Sequence, residues 1–178
     1  MKSQRFLLAA MTSILMPAWG YSQSNTDNGG DLMGDDIPND ELNHAPQAGL
    51  HFGYPYCHEG EILDAEFGQG ESCDDYQPPE LKLGAHVAAL GMAFYGGEMF
   101  SAGYSGQLFI ARHGSWNRSE KAGYAIVSVK LNEDGSVERK QPFDTGWLQG
   151  KDEWGRPADV LPLPDGSLLV ADDKANAI

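Results

Sequence analysis

Five acidic side chains, Asp31, Asp35, Asp36, Asp40 and Glu41, crowd one short Gly-containing stretch. Hard oxygen donors at that density suit calcium. Their spacing matches neither an EF-hand loop nor the Gly-Asp repeats of calcium-binding β-rolls, so a solvated acidic loop stands as the alternative. His44, His51 and His58 recur every seven residues, but Pro46, Gly49, Gly53 and Pro55 rule out the helix that would align them. They are expected as separate loop residues with structural roles. Arg112, His113, Trp116, Asn117 and Arg118 follow an apolar run, and Arg156 lies between Gly155 and Pro157. A cation at either place could pair with a ligand carboxylate. Cys57 and Cys73 are the only cysteines. They would pair in an oxidising compartment; the other reading, zinc held by Cys57, His58 and Cys73, lacks a CxxC spacing.

The elements that position these groups read as β structure. Gly106 opens the stretch GQLFIARH and Gly166 opens GSLLVADD, which align without gaps 60 residues apart. Each is a turn glycine, an apolar strand of buried type and a polar end. Thr26 to Gly29 suggests a third, partial copy of that polar end. Between the full copies, residues 124–131 read as a strand, 132–135 as a turn and 136–140 as a returning strand. A strand unit recurring in this way points to a β-propeller, with a β-sandwich as the alternative. The 22 Gly and 10 Pro fit such a turn-rich fold.

Charge and the N-terminus narrow the setting. Twelve Lys and Arg against 26 Asp and Glu give a net charge of −14. The cations are scattered, which argues against a nucleic-acid partner. Lys2 and Arg5 precede an apolar run from Phe6 to Met16, followed by Pro17 and small residues. This is the order of a secretory signal over residues 1–24, cleaved after Gly20 or Ser24. The run is too short for a permanent membrane span. A periplasmic or secreted location follows as the expectation.

Four long stretches carry a family resemblance: TDNGGDLMGDDIPNDELNHAPQAGLHFGYPYCHEG from Thr26, LGAHVAALGMAFY from Leu83, GQLFIARHGSWNRS from Gly106 and WGRPADVLPLPDGSLLVADD from Trp154. In this order they resemble the pyrroloquinoline quinone (PQQ)-dependent sugar dehydrogenases, in particular the sorbosone dehydrogenase branch. The resemblance implies an all-β six-bladed propeller with antiparallel four-stranded blades, of which residues 25–178 would form the last two to three, ending inside a strand at Ile178. It implies PQQ and calcium as cofactors and a sugar or sugar aldehyde as substrate, oxidised by hydride transfer to the quinone.

Residue by residue, the Asn28-Gly29-Gly30 turn resembles the one whose backbone carbonyls hold calcium beside PQQ, with Gly29 and Gly30 as metal positions. Asn28, Asp40, His86, His113 and Arg156 fall at cofactor-binding positions, Arg156 at that of an arginine pairing with a PQQ carboxylate. Gly30 departs from the family pattern, since relatives often carry arginine there. The family's catalytic histidine base and an Arg-Asn pair belong upstream of Thr26, so no catalytic residue is assigned here. The expected object is therefore a dehydrogenase portion that needs further blades, from another chain or by self-association. The alternative is a non-catalytic propeller fragment.

Overall fold

The computed structural model describes residues 23–178, and residues 1–22, which hold most of the expected signal, lie outside the described part. In chain order, β1 (Gln23–Asp27) and β2 (Asn39–Ala45) are followed by the short hairpin of β3 (Cys57–His58) and β4 (Ile62–Leu63). Then come β5 (Leu81–Ala85), β6 (Ala89–Phe94), β7 (Leu108–Arg112), β8 (Ala125–Leu131) and β9 (Val137–Asp144). The hairpin β10 (Leu148–Gln149) and β11 (Asp152–Glu153) leads to β12 (Pro157–Pro162) and β13 (Leu168–Asp172). All pairings are antiparallel, and the main sheets have the orders β1-β2-β5, β6-β7-β8-β9 and β12-β13.

The four-stranded sheet is the middle layer of three. Successive side chains of a strand point to opposite faces. Leu108 and Ile110 of β7, with Val127 and Val129 of β8, pack with Leu42 and Leu83 of the first sheet. The alternate residues Phe109, Ala111 and Ile126 pack with Val160 of β12, Tyr95, Tyr124 and Trp147. Because both faces are covered, β7 and β8 read as continuous apolar runs rather than as an alternation. β9 instead exposes Glu138, Arg139 and Lys140 and carries Pro142, as suits an edge strand. β6 packs beside both β1 and β12, so the first strands of the three sheets stand together. Thr26 Oγ1 donates to Leu90 O at 2.8 Å across that seam.

The repeated units occupy matching places, since β7 and β13 are each the second strand of their sheet. Their surroundings differ. β7 pairs on both sides and its residues 108–111 are buried, whereas among the described residues β13 pairs only with β12 along its length and leaves Leu169 exposed. Thr26 to Gly29 is no third copy of the unit's polar end, because it closes β1, the first strand of its sheet, and the second-strand place belongs to β2. The acidic stretch is no single loop, since Asp40 and Glu41 are buried in β2. Nor does a strand run to Ile178: β13 ends at Asp172, and a turn brings Ala177 back to bridge it.

His44 and His58 also lie in strands rather than loops. His58 is buried and pairs with Asp64 at 3.0 Å. Cys57 and Cys73 form a disulfide with Cα atoms 5.5 Å apart, which excludes the zinc alternative. Among the described residues, no helix is long and apolar enough to cross a membrane.

Candidate functional site

Four chain segments meet at one end of the stacked sheets: the β1–β2 connection, the turn at residues 86–88 after β5, the connection after β7, and Arg156 just before β12. The turn at 86–88 is held in an uncommon backbone form, with His86 at φ 56° and Ala88 at φ 52°. Neighbouring backbone pins it, because His113 N donates to Ala88 O at 2.9 Å and Gly114 N to Val87 O at 2.8 Å. Left-handed non-glycine residues persist only where the surroundings over-determine them, and they cluster at sites.

Asp40 ties two of these segments together. Its carboxylate accepts from Gly29 N at 2.9 Å and from Ala88 N at 2.6 Å, and the residue is 1% exposed. Burial pushes its carboxyl above the usual range, against the pull of those amides and of His86. Nearby Arg112 is lowered by burial, with the Asp40 charge opposing that shift, and its Nε is buried without a partner. Asp40 thus shapes the cleft by holding backbone rather than by reaching outward.

The cleft itself, about 130 Å³, is lined by Asn28, Gly29, Asp31, Asp40, His86, Trp116 and Asn117, all singled out in the sequence, and by Ala88. His86 Nε2 lies 2.7 Å from Gly34 O and 3.0 Å from Ile37 O. Two carbonyls around one ring nitrogen require it to carry a proton, and in the neutral ring Nδ1 is then the acceptor. Gly29 must lack a side chain, since a Cβ there would come within 2.6 Å of Pro38 Cγ. Gly30 does not line the cleft but faces His58, where a Cβ would stand 3.2 Å from Cε1.

His113 and Arg156 form a second cluster beside the cleft. His113 Nε2 meets Asp173 Oδ1 at 2.8 Å, and its Nδ1 is 3.5 Å from Arg156 Nη1. Arg156 Nη2 donates to Ser115 O at 2.9 Å and to Tyr124 Oη at 3.0 Å, with the guanidinium 5.3 Å from the Tyr124 ring centre. Asp172 Oδ1 accepts from Arg156 N at 2.8 Å. Residues 113–117 connect the clusters, since His113 and Ser115 meet Arg156 while Trp116 and Asn117 line the cleft. Sequence reading missed Tyr124 and Asp172 as supports. Tyr124 sits at the start of a strand like any core aromatic, and its left-handed φ of 54° leaves no mark in the residue type.

The residues fit the implied cofactors by their chemistry. Among the described residues no three His, Cys, Asp or Glu side chains converge as a metal-binding group. Calcium at this cleft would rest instead on carbonyl and amide oxygens of the Asn28-Gly29-Gly30 turn with Asp31 nearby, a hard donor set. A planar tricarboxylate needs a cation, and the half-buried Arg156 guanidinium beside the cleft is a group of that kind.

Comparison with known proteins agrees in fold. Residues 60–147 match the family described as TrAA12-like. The chain is 39% identical over 156 residues to an uncharacterized protein of Borreliella burgdorferi, covering 86% of this chain and 41% of that relative. Among solved structures it is similar to the calcium structure of Carbohydrate-Active Enzymes Family AA12 from Trichoderma reesei, with TM-score 0.64 and 23% identity over 82% of this chain and 43% of that one. It is also similar to the holo form of the pyranose dehydrogenase PQQ domain from Coprinopsis cinerea, with TM-score 0.60 and 20% identity over 80% of this chain and 44% of that one. A glucose dehydrogenase aligns with TM-score 0.57 and 25% identity over 87% of this chain and 37% of that one. The chain therefore spans less than half the length of each of these proteins. Its all-β antiparallel architecture is that of the AA12 structures.

Proposed function

We propose that this chain is the PQQ- and calcium-holding portion of a dehydrogenase that oxidises sugars or sugar aldehydes, of the sorbosone or aldose type. Its three stacked sheets would then be two to three blades of a six-bladed propeller, exported to the periplasm or beyond after loss of residues 1–24. The observation that carries the reading is the convergence of Asn28, Gly29, Asp40 and His86 on one cleft, with Arg156 and His113 adjoining it. When bound, the cofactor pair supplies two-electron oxidation of a sugar carbon, with the metal polarising the quinone carbonyl. In this chain Arg156 would pair with a quinone carboxylate. Asp40 would keep the Gly29 turn and the Ala88 turn in register, and His86 would present Nδ1 to the cleft.

The second reading, a binding fragment without catalysis, is favoured by the exposed apolar side chains Leu161 and Leu169 on the outer sheet. Titration of PQQ into the purified chain, followed by quinone absorbance, separates the two. The first reading expects saturable binding that calcium strengthens and a chelator reverses. An absence of binding at millimolar PQQ with calcium present would leave only the second.

A further inference from the structure

The segment between β2 and β5 buries a carboxylate that takes no part in the cleft. Glu59 is 5% exposed, stands at φ 47° just after β3 and does not line the cleft. One of its oxygens, Oε2, accepts from Asn39 N at 2.5 Å and from Asn39 Nδ2 at 2.6 Å, while Oε1 accepts from Lys82 Nζ at 3.3 Å. Burial pushes the carboxyl up, but the bonds from Asn39 and Lys82 bring it below its usual range, so it is ionised at neutral pH. Asn39 needs such a partner. It stands beyond the last rung of the β1–β2 ladder, which ends at Asp27 and Glu41, and a register shift between Asp40 and Glu41 breaks the β2–β5 ladder beside it. An irregularity of this kind loosens the strand from its neighbour and re-aims its side chains. The turn carrying Glu59 is itself packed in place, because Gly60, at φ 76°, lies so close to Pro78 and Pro79 that a Cβ would stand 3.1 Å from each.

Resting on the cofactor reading above, we infer that Glu59 is a positioning residue for the calcium turn: by clamping Asn39 it sets the affinity of the Asn28-Gly29-Gly30 turn for calcium without touching the ion. Asn39 directly precedes Asp40, and Asp40 holds Gly29 N and Ala88 N. Asn39 also backs the turn itself, since a Cβ on Gly29 would stand 3.1 Å from Asn39 O. Calcium affinity depends on how rigidly its oxygens are held. A start of β2 released from Glu59 lets Asp40 and the turn drift together, and the carbonyls offered to the ion lose their common orientation. The clamp works through reach rather than charge. Both Asn39 donors meet one oxygen, which the amide oxygen of glutamine can replace in place, whereas aspartate keeps the charge on a shorter side chain.

Calorimetric titration of calcium alone into the full chain gives the test, with Glu59→Gln and Glu59→Asp as the variants. Both should fold, because Lys82 keeps Glu61 at 2.9 Å in the first and aspartate tolerates a left-handed backbone in the second. The inference expects Glu59→Gln to stay within about threefold of wild type and Glu59→Asp to bind calcium about tenfold or more weaker. The ¹⁵N amide peaks of Gly29 and Ala88, whose protons meet Asp40, should be displaced only in Glu59→Asp. The reverse order of affinities, which a direct field of the Glu59 charge on the ion would give, overturns the inference, as does equal affinity in the two variants. PQQ absorbance in the same samples keeps the two proposals apart. Calcium binding in the expected order without PQQ binding sinks the quinone reading alone, calcium and PQQ binding that ignore the variants sink the clamp alone, and no calcium binding by the wild type sinks both.

Discussion

At the scale of single residues, the site is held by groups whose partners are backbone atoms. Asp40, Arg156 and Tyr124 each fix a turn rather than a neighbouring side chain alone. Tyr124 donates to Ser115 O at 2.5 Å and accepts from Arg156. Tyr124→Phe keeps the ring and removes both bonds, which should lower stability by about 1 to 2 kcal/mol and weaken PQQ binding through a misdirected Arg156. Urea denaturation and the quinone titration measure the two effects, and an unchanged titration would deny Arg156 its partner. The chemistry-bearing residue types were legible in the sequence, as Asn28, Asp40, His86, His113 and Arg156 show. Their partners were not, because Gly29 N, Ala88 N and Ser115 O are backbone atoms that no residue type announces.

At the scale of elements, β7, β8 and the β8–β9 turn could be read directly, since apolar runs and Asn-Glu-Asp-Gly chemistry are local signals. The placement of β1 beside β6, and of β2 across from β5, could not, because those pairings join segments separated by long connections. The covering segment between β2 and β5 is such a connection, and its order rests on two devices. The first is the Cys57–Cys73 disulfide, closing a separation of 16 residues. Replacing both cysteines by alanine should cost about 3 kcal/mol in the chain-entropy account. A urea midpoint unchanged in the oxidised wild type and the double variant would show that the segment is ordered without it. The second is Asp64, whose carboxyl is lowered to about 2 by the Phe67 amide first, then by His58 and the Glu66 amide. A depressed folded value means that its stabilisation is complete above the unfolded value, near 3.8, and is lost as pH falls toward 2. Thermal melts should therefore show wild type and Asp64→Asn converging as pH drops from about 4 to about 2. A gap that stays constant across that window would remove Asp64 from this role.

At the scale of the molecule, three sheets stack so that their first strands stand together and one end carries the cleft. The repeat at Gly106 and Gly166 foretold two of those sheets, because both second strands keep the same polar exit. It could not foretell that one is sandwiched and the other half-open, since burial depends on what packs outside the strand. The account's central claim is that the loops at this end hold calcium and quinone together. The most direct measurement is a crystal structure of the chain grown with PQQ and calcium, the metal located by its anomalous signal. The account predicts calcium against the Asn28-Gly29-Gly30 turn, with a quinone carboxylate within hydrogen-bond reach of the Arg156 guanidinium. Calcium lodged only at exposed carboxylates such as Asp35 and Asp36, with no quinone in the cleft, would contradict it.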